Sequence, residues 1–311
     1  MSLHELVRDN VMTATRYFQH RVKQFIITIM MGKNNPMHVK YYTYKVEFQD
    51  RGAGHIHGTL WLNMDKIEEI ETENGEKPFL TLKSALKKFR NHGSLEDDEI
   101  TCVKTFIDEY TTVSIHEGTV GKEVAKIATE VNKHHHTKTC RKHNSKCRFN
   151  YPKFPTPHTI IVQPCQVNDN EERGALLVKY QEILRKVKAV LEDEEKMNDM
   201  MTKYDKQSES KEENKENIEK RTKEVVSMAG VDYDDYLKAL GTSKSGYSVV
   251  QQRDLDEVFI NSYNREWLRA WNANLDIQIV LDYFAVITYV TDYYSKDDTG
   301  TMEVIKAALE Q

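Results

Sequence analysis

Four cysteines in 311 residues, Cys102, Cys140, Cys147 and Cys165, are too few and too scattered for a secreted disulfide scaffold. With no apolar leader behind Met1, the chain is expected to work inside the cell in a reducing compartment, where thiols are better suited to metal binding. No stretch approaches the ~18 apolar residues that a membrane-crossing helix requires, so no membrane partner is expected. Net positive charge is also missing: the formal charge is −5, a poor match to nucleic acid if charge is averaged over the whole chain. No G-x-x-x-x-G-K-[ST] phosphate loop occurs, which leaves any helicase partner outside this chain. The start at Met1 and the end at Gln311 read as those of a fragment of something longer.

One absence is local. From Val131 to Asn168 there is no Asp or Glu, while Lys133, Lys138, Arg141, Lys142, Lys146, Arg148 and Lys153 concentrate positive charge. The opposite holds over residues 175–225, where mixed-sign charge dominates and the run EDEEKMNDMMTKYDKQSESKEENKENIEKRTKE has neither glycine nor proline. It reads as an exposed, partly disordered helix or helical hairpin. Four segments result: 1–130, the basic 131–168, the charged 169–245, and 246–311.

Apolar residues at Val7, Val11, Phe18, Val22, Phe25 and Ile29 predict an amphipathic helix over 5–31. Residues 41–49 alternate, with Tyr42, Tyr44, Val46 and Phe48 on one side and Thr43, Lys45, Glu47 and Gln49 on the other. After Asp50-Arg51-Gly52-Ala53-Gly54 the alternation resumes, with His55, His57, Thr59 and Trp61 opposite Ile56, Leu60 and Leu62, which predicts an antiparallel hairpin. Helices are expected over 81–93 and from Glu99 to Thr129, a strand over 274–282, and a helix from Tyr283 to Lys296. The fold class is therefore α+β.

The hairpin puts His55 and His57 on one face, with Glu47 or Gln49 of the other strand beside them. Two imidazoles and a carboxylate on rigid strands leave positions open on a divalent ion, as catalysis requires. An H-x-H pair alone is more often incidental. On the C-terminal helix Tyr289, Tyr293 and Lys296 share a face, opposite an apolar stripe of Tyr283, Ile287, Val290 and Tyr294. Tyrosines mostly pack at core edges, but a phenol of pKa ~10 can attack an electrophile that a metal polarises, with Lys296 steadying the phenolate or the leaving oxygen.

The stretch VEFQDRGAGHIHGTLWL resembles the HUH endonuclease motif, and in particular the Rep nuclease domain of Helitron transposons. VFINSYNREWLRAWNANLDIQIV, followed by ITYVTDYYSK, is similar to that family's later block with two tyrosines four apart and a trailing lysine. The resemblance follows family order over most of the chain, except the charged stretch 175–245. It departs at Gly54, where Helitrons commonly have proline, and at Asp292, where lysine is frequent. It implies a central antiparallel sheet carrying the metal site, flanked by helices, with Glu47 as the carboxylate and Mg²⁺ or Mn²⁺ as the ion. The implied reaction is nicking and strand transfer on single-stranded DNA through a 5′-phosphotyrosine. Such a protein works in the nucleus if the host is eukaryotic.

Within 14 residues, HHHTKTCRKHNSKC offers His134, His135, His136, Cys140, His143 and Cys147. Thiolates and imidazoles suit tetrahedral zinc, though the spacing is not that of a standard finger. Similar segments in Helitron-like proteins favour His136, Cys140 and Cys147; the fourth ligand is open among His134, His143 and Cys165, with His134 carried forward. The same segment suits DNA, through Lys138, Arg141, Lys142, Lys146 and Arg148 for phosphates and Phe149 and Tyr151 for bases. A different class remains open: a non-catalytic, zinc-stabilised DNA-binding module of a larger replication protein. A cupin-like site lacks its glutamate, since residues 61 and 62 are Trp and Leu.

Overall fold

The computed structural model describes residues 5, 9–48, 54–91, 93, 95–137, 140, 146–203, 211–282, 286–288 and 291, without the side chains of 211–214. The chain divides into two compact units, Met1–Lys66 with Asp282–Gln311, and Ile67–Leu281. The segment boundaries read from composition, at 130, 168 and 245, all fall inside the second unit.

In the first unit, helix α1 (Val11–Phe25) buries Val22 and Phe25, as the three-and-four spacing predicts, while Val11 is exposed at the other end of the stripe. The helix then widens into a π-turn over Ile26–Met30, where the Met31 amide reaches the Ile26 carbonyl at 2.8 Å. Strands β1 (Val39–Phe48) and β2 (Gly54–Leu62) form the expected antiparallel hairpin, with the register irregular between Val39 and Tyr41. The Asn35 side chain clamps the start of β1 through both the amide and the carbonyl of Val39, each at 2.8 Å. Phe18 of α1 meets Phe48 edge-on at 6.3 Å and lies so close to Gly54 that a Cβ there would sit 2.6 Å from its ring. Glycine at 54 is thus dictated by the approach of the helix.

The second unit opens with helices α2 (Leu82–Arg90) and α3 (Asp97–Tyr110). Glu99 ties them, closing the α3 capping box while accepting from Ser84 at 3.1 Å and Lys88 at 2.6 Å. Helices α4 (Glu117–Val120) and α5 (Lys122–Val131) pack Val120, Val124, Ala125 and Ala128 against Ile260, Tyr263 and Leu268. Strand β3 (Ile160–Pro164) lies between β4 (Thr242–Ser243), parallel to it, and β5 (Ser248–Val250), antiparallel. The fold is mixed α and β; among the described residues the strands form this sheet and the hairpin, and no larger central one.

Two expectations need correction. The charged segment is not merely an exposed arm: α6 (Asn170–Leu191), α7 (Glu194–Lys203), α8 (Lys211–Met228) and α9 (Tyr233–Leu240) bury Ile183, Val187, Val190, Met200, Val225, Val226, Tyr236 and Leu240 in one cluster with Leu255 and Val258. Its apolar residues are sparse, yet their helical spacing aligns them on inward faces. Residues 274–282 do alternate, with Leu275, Ile277 and Ile279 half-buried between exposed neighbours, but join no ladder among the described residues. Their amides bond instead to the Asn132 side chain (Leu275, 2.7 Å) and the Ser262 carbonyl (Ile277, 2.8 Å). Alternation reported extended backbone, not pairing.

Candidate functional site

The hairpin register pairs Glu47 with His55, Lys45 with His57, Thr43 with Thr59 and Tyr41 with Trp61. Because successive side chains point to opposite faces, these eight residues share one face of the ribbon. Glu47 Oε2 lies 3.4 Å from His55 Nε2 and 3.7 Å from His57 Nε2, and the two imidazoles meet edge to face at 4.9 Å. Adjacent donors each roughly 2.1 Å from one octahedral ion are about 3.0 Å apart, so a small inward shift of these side chains would bring all three to one ion. The donor set fits a divalent metal with positions left for water or a substrate oxygen. Gln49, the other candidate for the third ligand, lies outside the described residues. His55 Nδ1 is buried with no acceptor among the described residues, so the group that commonly orients a ligating imidazole is not among them.

His134, His136, Cys140 and Cys147 also converge, each offering a donor atom within 4.8 Å of the others. Cys140 Sγ is 3.6 Å from His136 Nδ1, and Cys147 Sγ is 3.4 Å from His134 Nε2. In a tetrahedral zinc site with Zn–S of ~2.3 Å and Zn–N of ~2.0–2.1 Å, the S···N edge is ~3.6 Å, so the four donors fit that ion. Burial chiefly, helped by the neighbouring His136 and His135, pushes the His134 imidazole down to about 4, which favours the neutral ring that ligation needs. The Thr137 amide donates to Cys140 Sγ at 3.3 Å, and the Arg148 amide to the Cys140 carbonyl at 2.9 Å, closing the loop. The ring of His134 stacks on Tyr151 at 4.4 Å, and its amide bonds to the Phe259 carbonyl at 2.7 Å. Of the alternatives for the fourth ligand, His134 is in the cluster; Cys165 continues β3, its amide on the Ser243 carbonyl, and His143 lies outside the described residues.

No family model, curated protein or solved structure matches this chain. The functional reading accordingly stands on the donor sets, the strand register and the sequence motifs.

Tyr289, Tyr293 and Lys296 lie outside the described residues, as do Lys138, Arg141 and Lys142; Val286–Thr288 and Thr291 are helical. Lys146 and Arg148 are exposed, with the Arg148 guanidinium 4.5 Å over the ring of Phe149, itself 47% exposed. Tyr151 differs from its expected role in base stacking. It is buried between His134 and Phe259, with its hydroxyl donating to Asn261, so its faces are not open to a base.

A third convergence had no signal in the sequence. His116 Nε2 lies 3.5 Å from Asp254 Oδ2, 3.8 Å from Glu257 Oε1 and 4.0 Å from Asp256 Oδ1. Asp254 is fully buried and held bidentately by the buried Arg221, at 2.9 and 2.7 Å. Glu257 accepts from the amides of Ile115 at 3.1 Å and Asp254 at 2.8 Å, and burial followed by the adjacent Asp256 pushes its carboxyl up to about 7. The Arg221–Asp254 pair in this network ties α8 to the 254–257 turn.

Proposed function

We propose that the chain is a metal-dependent nuclease of the HUH type, which nicks single-stranded DNA and transfers the strand through a tyrosine, as in rolling-circle replication or transposition. The observation that carries this reading is the meeting of Glu47, His55 and His57 on one face of the hairpin. In this reading the hairpin is the metal-bearing pair of the HUH sheet, and the three residues hold Mg²⁺ or Mn²⁺. Once bound, the ion supplies neutralisation of the charge that builds on the non-bridging phosphate oxygens. The phenol oxygen of Tyr289 attacks phosphorus and gives up its proton. The bond from phosphorus to the 3′ oxygen breaks, and that oxygen takes a proton, leaving a free 3′-OH and a 5′-phosphotyrosyl strand. Lys296 offsets charge on the phenolate or the departing oxygen. Tyr293 serves the later transfer. The zinc knuckle of His134, His136, Cys140 and Cys147 holds the basic loop against DNA. Work in a host nucleus, beside a helicase on another domain or chain, belongs to the same reading.

The test is an oligonucleotide library labelled at the 3′ end, incubated with protein and Mn²⁺ and resolved under denaturing conditions. A labelled adduct that maps to Tyr289 is expected, lost in Tyr289→Phe and retained in Tyr293→Phe, which is impaired only in transfer. Adducts surviving in the double Phe variant would remove both tyrosines from the mechanism. A second reading, a zinc-stabilised DNA-binding module without chemistry, draws on the same knuckle and the exposed Arg148–Phe149 pair. Tight binding with no adduct in Mn²⁺ would favour it.

A further inference from the structure

The metal face of the hairpin does not end at His57. Beyond it on the same face lie the hydrogen-bonded Thr43–Thr59 pair, 3.1 Å apart, and then the Tyr41–Trp61 pair, 62% and 46% exposed. Trp61 is four residues from His57, or ~13 Å along the strand. The Lys40 ammonium sits 5.5 Å from the Tyr41 ring centre, and Lys45 is paired with His57. The register irregularity between Val39 and Tyr41 falls where the pair begins, as bulges do where a side chain is re-aimed. Two large exposed rings directly opposite each other, flanked by cations and in line with a metal-ligand triad, match one class of ligand. Rings accept the faces of unstacked bases, cations accept phosphates, and a duplex offers no free base faces along its length.

We propose that Tyr41 and Trp61 form a base-stacking platform that lays an unpaired strand along the hairpin and presents its phosphate to Glu47, His55 and His57. The proposal rests on the nuclease reading for the use of that phosphate, though not for the binding itself. Tyr42 and Tyr44 alternate onto the opposite face, so they take no part in it.

The test is fluorescence anisotropy of a fluorescein-labelled oligothymidylate without added Mg²⁺ or Mn²⁺. Trp61→Ala and Tyr41→Ala are each expected to weaken binding about tenfold with no change in salt slope, because stacking and not phosphate contact is lost. Trp61→Phe should bind within about threefold of wild type. Both alanine variants binding within twofold of wild type would overturn the platform. Photocrosslinking of a 5-iododeoxyuridine strand to the unaltered protein is an independent readout: crosslinks at Tyr41 or Trp61 support the platform, and crosslinks confined to other residues refute it. If wild type forms no adduct with Mn²⁺ yet Trp61→Ala still weakens binding, the nuclease reading fails and the platform stands. An adduct in wild type with undiminished binding by both alanine variants removes the platform and leaves the nuclease reading standing.

Discussion

Glu47 and His57 meet only because β1 and β2 run antiparallel with one register, and a slip of one residue would turn Glu47 to the other face. That much was legible, because parity along a strand is a local property of the sequence. The His116, Asp254, Asp256 and Glu257 network was not, since its members come together only when α4 and the 254–257 turn pack. The triad is half-buried and contributes little apolar area, so His55→Ala or His57→Ala is expected to abolish adduct formation while changing stability by less than about 0.5 kcal/mol. Activity within twofold of wild type at saturating Mn²⁺ would end the metal role. Glu257 makes a separate prediction about pH. Its folded carboxyl titrates near 7, above the ordinary ~4.3 of an unfolded chain, so the fold favours the protonated acid. That contribution is complete below the unfolded value and is lost as pH rises through about 7, amounting to at most about 4 kcal/mol. Glu257→Gln should flatten the denaturant-midpoint profile between pH 5 and pH 7.5, measured by urea titration at each pH. Its absolute stability is expected to be lower, because the side-chain NH₂ meets one of the amide donors that Glu257 now accepts. A profile parallel to wild type would show that Glu257 does not titrate in this range.

Among the elements, the hairpin, α2 and the helical character of the charged segment fall close to where the sequence put them, whereas the burial of the charged helices and the pairing of the 274–282 strand were misjudged for opposite reasons. The charged helices carry so few apolar residues that composition hid the stripe they bury. The 274–282 segment carries the right alternation but had no way to announce that no strand would lie beside it. The convergence of thiols and imidazoles was legible in kind, because donors within 14 residues can be gathered by one short loop, while the inclusion of His134 required the fold. If zinc holds it, Cys140→Ser with Cys147→Ser should lower the melting temperature and DNA affinity together, and leave the pH dependence of any residual nicking unchanged. Metal analysis of purified protein is the direct check; finding no zinc would make this a loop held by the Tyr151 and Phe259 stack and its hydrogen bonds.

Taken whole, the molecule carries a net negative charge that hides an uneven distribution, with one basic stretch free of acids. Its salt response should therefore be that of a small local patch. Lys146→Ala and Arg148→Ala are each expected to reduce the slope of log affinity against log salt by about 0.7 for a single strand, whatever its sequence. An unaltered slope in both would move the phosphate contacts elsewhere. The two compact units were not legible either, since their boundaries follow packing and not composition: the Arg221–Asp254 pair makes the charged segment part of the second unit and not a detachable insertion. Gly54 has a further consequence for how such a chain can diverge. With the Phe18 ring 2.6 Å from where a Cβ would stand, positions 18 and 54 are bound to change together. A descendant that gains a side chain at 54 must first trade Phe18 for something smaller. An intermediate carrying both large groups would push α1 off the hairpin beside His55, and lineages should be seen to cross only in that order.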